Sequence, residues 1–114
     1  MSKTRTERTI GIQSIGKLEA EIFKMVCDKQ DGITVRDIYE DLRLKRKIAY
    51  TTVMSVMNSL TTKGLLKQNK SSMAYVYKPT VSKEKLATKI IQSIIDKLLD
   101  GKIEPVMSHF AKKK

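Results

Sequence analysis

From Ile15 onward the apolar positions fall into distinct periods. Ile15, Leu18, Ile22, Met25 and Val26 recur at helical spacing and predict a first helix over about 17–29. "QDG" then breaks it. Val35, Ile38, Tyr39 and Leu42 form the stripe of a second helix, entered through Thr34 and Asp37, a capping box with Asp in place of the usual Glu or Gln. A third helix is predicted over about 49–63. At about 100° per residue, Ala49, Val53, Val56, Met57 and Leu60 share one face, and Gly64 suits the residue just past the helix end. The period then changes to 2. "LLKQNK" and "AYVYKP" flank "SSM" and predict a hairpin, with Pro79 ending its second strand because proline cannot donate to the ladder. After Ser82, a plausible N-cap, apolar doublets follow at Leu86–Ala87, Ile90–Ile91, Ile94–Ile95 and Leu98–Leu99. Gly101 stops this helix, and Pro105 can start a short last one through Val106, Met107 and Phe110.

Three helices followed by a basic hairpin make a winged helix-turn-helix. The expected fold is mainly α with a small β-hairpin wing, followed by a C-terminal helical region. The expected division is a flexible basic arm over 1–14 carrying Lys3, Arg5 and Arg8, a winged domain over 15–79, and a helical dimerisation region over 80–114. Each doublet advances about 400°, so the stripe drifts by about 40° per doublet and widens. That is more apolar face than one helix covers by lying on a small domain. Pairing with a second copy would cover it; a wide contact within the chain is the alternative. Leu86, Ile90, Ile91, Ile94, Ile95, Leu98, Leu99 and Phe110 are the residues expected at such an interface.

The far side of the third helix is unusual. Thr51, Ser55, Asn58 and Thr62 lie opposite the apolar face, flanked by Thr52 and Ser59 on one side and by Tyr50 and Met54 on the other. A merely solvated helix face favours Lys, Glu, Gln and Arg, which are better helix formers than Thr, Ser and Asn. Short polar side chains let a helix sit deep in a DNA major groove, where they can reach base edges or phosphates, and where Thr methyls or Met can meet a thymine methyl. Thr51, Thr52, Ser55 and Asn58, with Tyr50 and Met54 at the margin, are therefore the candidate DNA-reading residues. A coincidentally polar surface is the plainer alternative.

Charge strengthens this picture by its placement. The 114 residues carry a net charge of +11. Between Leu42 and Lys83 there are nine basic residues and no acidic one, whereas the preceding stretch is balanced. Such a block suits a polyanion, although a solvated basic surface would have the same composition. Lys45, Arg46, Lys47, Lys63, Lys67 and Lys70 stand at the helix ends and on the hairpin, where phosphate backbones would pass. With two Phe and no Trp, a broad stacking platform for single strands is not expected.

Little supports catalysis. His109 is the only histidine and Cys27 the only cysteine, and there is no CxxC, HExxH or Gly-rich phosphate loop. No cofactor, metal site or enzymatic activity is expected. The single cysteine suits a reducing cytosol, no apolar run approaches a membrane span, and the N-terminus lacks a signal-peptide core, so a cytoplasmic protein is expected. Double-stranded DNA and a second copy of the chain are the expected partners. A winged module without sequence preference, binding DNA architecturally or contacting an acidic protein, is the alternative.

These residues resemble the penicillinase repressor family, the BlaI/MecI type. "LEAEIFKMV" is similar to its first helix, "TVRDIYEDL" to its second, "IAYTTVMSVMNSLTTKGLL" to its recognition helix, and "AYVYKPTVSKE" to the second wing strand leading into its dimerisation helix. The resemblance implies a homodimeric winged-helix repressor on a palindromic operator, released by proteolysis in the C-terminal region. His109–Phe110 resembles the family's scissile Asn–Phe pair with His in place of Asn, and the Cys-x-Cys pairs of the family's copper-responsive branch are absent. A cut after His109 would leave the doublet helix whole, so proteolysis is not expected to be the main switch.

Overall fold

The computed structural model of the chain describes residues 15–29, 31–71 and 73–112; the expected basic arm over 1–14 lies outside them. Among the described residues seven elements follow in order: α1 (Lys17–Cys27), α2 (Val35–Leu42), α3 (Tyr50–Thr62), β1 (Leu66–Ser71), β2 (Ala74–Pro79), α4 (Lys83–Leu99) and α5 (Glu104–Lys112). The fold is mainly helical with one antiparallel hairpin, a winged helix. None of the described helices is long and apolar enough to cross a membrane.

Local chemistry sets most boundaries. At α2 the capping box forms in both directions: the Asp37 N–H donates to Thr34 Oγ1 at 3.1 Å, and the Thr34 N–H donates to Asp37 Oδ2 at 3.3 Å. This satisfies donors that a helix start otherwise leaves without partners. Ser82 caps α4 by accepting from the Lys85 N–H at 3.0 Å. Gly64 leaves α3 at φ +87, the left-handed conformation that only glycine adopts without strain. The third helix begins one residue later than the sequence pattern predicts, because Ala49 is extended and serves as an exposed N-cap rather than a core residue. α1 ends at Cys27, short of the expected Lys29, where the Lys29 N–H turns back to the Val26 carbonyl at 3.1 Å.

That early turn has a purpose that the sequence pattern did not reveal. It delivers Ile33 to the free edge of β2. Ile33 and Tyr77 form an isolated antiparallel bridge, with N–H to carbonyl distances of 3.1 Å and 2.8 Å in the two directions. Gly32 has φ +101, and a Cβ placed there would lie 2.2 Å from Val76 Cγ1. The chain can pass over the wing only because this residue has no side chain.

The core joins α1, α2, α3 and the base of the wing. Ile22, Phe23 and Val26 meet Ile38 and Leu42, then Val53, Met57 and Leu60, and Leu65, Leu66 and Tyr77 close the wing side. Burying one such side chain is worth about 1.5–3 kcal/mol. The start of α4 shares in this core: Leu86 is only 4% exposed, and Val81 and Ile90 pack against the same cluster. Farther along, the helix leaves it. Ile91, Ile94 and Leu98 on α4, with Ile103, Met107 and Phe110 around α5, remain exposed.

Candidate nucleic-acid interface

The third helix turns its two faces as its sequence demands. Val53, Met57 and Leu60 are fully buried, and Thr51, Thr52, Ser55, Asn58 and Thr62 are exposed. Tyr50 and Met54 stand at the margin, 38% and 37% exposed. The Tyr50 ring meets Tyr39 of α2 edge to face, with centroids 5.5 Å apart and planes at 78°. Such a pair adds about 0.5–1.5 kcal/mol to the contact between α2 and the start of α3. Ser59, which the helical wheel puts beside the polar face, instead turns toward α1.

Ahead of α3, Lys45, Arg46 and Lys47 are exposed in the connection from α2. Arg46 Nη2 pairs with Glu21 Oε1 of α1 at 2.5 Å. Lys45 and Lys47 have no ion pair among the described residues. Beyond α3, Lys63 is held by Glu19 of α1, with its ammonium 3.1 Å and 3.0 Å from the two carboxylate oxygens. The same carboxylate accepts from Ser59 Oγ at 3.1 Å and from the Gly16 N–H at 2.9 Å. Glu19 is thus a hub between α1 and the end of α3. The Gly16 N–H, more than the facing ammonium and hydroxyl, holds its carboxyl below the usual carboxylate range, although partial burial opposes the shift.

The wing sorts its lysines onto two faces. Because pairing is antiparallel with Lys67 opposite Lys78 and Lys70 opposite Tyr75, directly opposed residues share a face and successive ones alternate. Lys67 and Lys78 therefore stand together on the face away from buried Leu66 and Tyr77. Lys70 belongs to the other face, near the tip, with its ammonium 5.7 Å from the Tyr75 ring centre. The sequence pattern named both Lys67 and Lys70 as phosphate contacts; folding sets Lys67 directly opposite Lys78, a residue not among those named. Only the strand register carries that information. At the base of the same sheet, Gln68 Nε2 donates to the Tyr77 hydroxyl at 2.6 Å.

Among the residues expected at a dimer contact, Leu86 and Ile95 have little surface left, at 4% and 2% exposure within one chain. Ile90 is partly buried on the winged core, and Leu99 is half-buried. Ile91, Ile94, Leu98 and Phe110 are open. His109 is exposed and meets the Phe110 ring edge to face at 5.6 Å. Cys27 is half-buried at the edge of the core, and burial pushes its thiol pKa up, away from the reactive thiolate. Among the described residues no group of three or more His, Cys, Asp and Glu is placed to hold a metal ion.

Three helices, a two-stranded wing and a polar, acid-free outer side on the third helix define the chain as a winged-helix protein. It belongs to the penicillinase repressor family, whose profile matches residues 15–114. Two relatives, each described as transcriptional regulator BlaI, come from Mycobacterium tuberculosis strains CDC 1551 / Oshkosh and ATCC 25618 / H37Rv. Each is 28% identical over 100 residues, which cover 87% of this chain and 72% of the relative.

Proposed function

We propose that this chain is a dimeric, sequence-specific DNA-binding repressor of transcription that acts in the cytoplasm on a palindromic operator. The observation that carries the proposal is the exposed side of α3: Thr51, Thr52, Ser55 and Asn58 all point outward without an acidic neighbour on the helix. In this reading they enter the major groove, with Tyr50 and Met54 at its edges. Lys45 and Lys47 before the helix, and Lys67 and Lys70 on the wing, reach the phosphates that position it. The winged domain reads DNA, and the region from α4 onward holds two copies together through Ile91, Ile94, Leu98 and Phe110. A two-fold dimer offers its recognition helices to half-sites one helical turn apart, about 34–36 Å, or a multiple of that. The family relationship and the regulator names of the two relatives support this role, and a non-enzymatic one with it.

Selection of bound sequences from a random DNA pool tests the reading. A recurring inverted repeat is expected, and Asn58→Ala should cost roughly 1–3 kcal/mol against the selected site while leaving binding to random DNA almost unchanged. A flat selection would overturn base readout and favour a winged module that binds DNA without sequence preference.

A further inference from the structure

Two of the basic groups that flank α3 are already neutralised inside the chain, and both by α1. Glu21 holds Arg46 ahead of the helix, and Glu19 holds Lys63 just beyond its end. The second contact is the more enclosed. The Lys63 and Glu19 side chains keep only 28% and 19% of their exposure, and the carboxylate also takes the Ser59 hydroxyl and the Gly16 N–H. Charge-assisted contacts of this kind are short and directional. A lysine released at this place would add a phosphate contact of the same strength on every DNA sequence, because phosphate contacts carry no sequence information. Selectivity is a difference between two affinities, so a contact of equal strength on every sequence cancels from it: withholding such a group lowers total affinity and its salt dependence and leaves selectivity unchanged. The same contact ties the end of α3 to α1 and so fixes how the exposed polar side chains are offered.

We propose that Glu19 is a positioning residue that limits affinity for the DNA backbone: it keeps Lys63 off the phosphates and holds the end of α3 against α1. This inference rests on the DNA-binding role proposed above. Lys63, identified from sequence as a phosphate contact, is in this account an internal partner of α1.

A cycle of Glu19→Gln, Lys63→Ala and the double variant tests it, with the salt dependence of binding measured on random and on selected DNA. Gln keeps an oxygen for the Gly16 N–H and loses the charge. Glu19→Gln is expected to tighten binding to random and to selected DNA alike and to steepen the salt slope on both by about 0.9, the contribution of one neutralised phosphate. Lys63→Ala should change the slope little when Glu19 is present, and should remove the added 0.9 or so when Gln replaces it. If Lys63→Ala alone lowers the slope by about 0.9, Lys63 leaves Glu19 for a phosphate and the proposal is wrong. The proposal also fails if Glu19→Gln folds, binds and leaves the slope unchanged. Should Glu19→Gln not fold, as circular dichroism would reveal, the slope of Lys63→Ala in the otherwise intact chain still decides. Absence of salt-dependent DNA binding by the intact protein would instead remove the DNA-binding role itself.

Discussion

The winged part and the C-terminal helices spend their apolar residues in opposite ways. In the winged part, Ile22, Val26, Ile38, Leu42, Val53, Met57, Leu60 and Leu65 are all completely buried within one chain. Along α4 and α5, only Leu86 and Ile95 are buried, and Leu98, Met107 and Phe110 are 76%, 59% and 63% exposed. Helical periodicity alone does not separate these cases, since both regions show clear stripes. The difference is whether neighbouring elements of this chain cover the stripe. α1, α2, α3 and the wing converge on one another, whereas α4 runs away from the cluster after Ile90. The first region buries its apolar stripes within the chain, with Leu86 of α4 contributing, and the second leaves most of its stripe exposed.

Substitutions should divide along this line. Leu60→Ala, in the middle of the winged core, is expected to cost roughly 2–5 kcal/mol in urea unfolding. A smaller loss would mean that the core repacks around the gap. Gly32→Ala should cost more than about 1 kcal/mol, because the residue has a positive φ and its new methyl meets Val76. An unchanged midpoint would show that the 31–33 segment can move off the wing. Leu98→Ala should leave unfolding of the monomeric form within about ±0.5 kcal/mol, yet weaken self-association in sedimentation at micromolar concentration. If instead it destabilises the monomer as Leu60→Ala does, α4 has a partner within its own chain and the contrast between the regions falls.

The smallest effect is the dependence of stability on acid. Glu19 has a folded-state pKa below its unfolded value, chiefly through the Gly16 N–H. Its contribution is therefore complete above the unfolded pKa and disappears as the pH falls through the depressed folded value. Glu19→Gln should flatten that acid limb of the stability curve. An acid limb equally steep in the variant would assign the effect to other carboxylates.

Most of the fold was legible because its signals are local. Thr34 and Asp37 lie within one turn, Ser82 and Gly64 act through their immediate neighbours, and the hairpin follows from a period-2 pattern around a short tip. What stayed hidden depends on residues far apart in sequence. The bridge between Ile33 and Tyr77 is a single pair and generates no period. Neither Glu19 nor Lys63 is distinctive until α1 and α3 pack. On α4 the doublets announce a broad apolar face but not which member turns inward: Ile95 is buried while Ile94 beside it is exposed. The exposed side of α3 was readable for a different reason, since Thr, Ser and Asn are poor choices for a helix whose only partner is water.

The wing's paired lysines also affect how the hairpin breathes. Lys67 and Lys78 stand directly opposite each other, without an ion pair among the described residues, at a spacing where like charges repel. Folding thus concentrates positive charge there, and each closing of the two strands works against that repulsion. Opening of the ladder is correspondingly easiest in dilute buffer and suppressed by counterions, the reverse of a region tied together by opposite charges. Backbone amides near this pair should exchange with solvent more slowly as salt is added, while those of α1 near Glu19 follow the opposite trend, so that one small domain contains two segments whose local fluctuations respond to ionic strength with opposite sign.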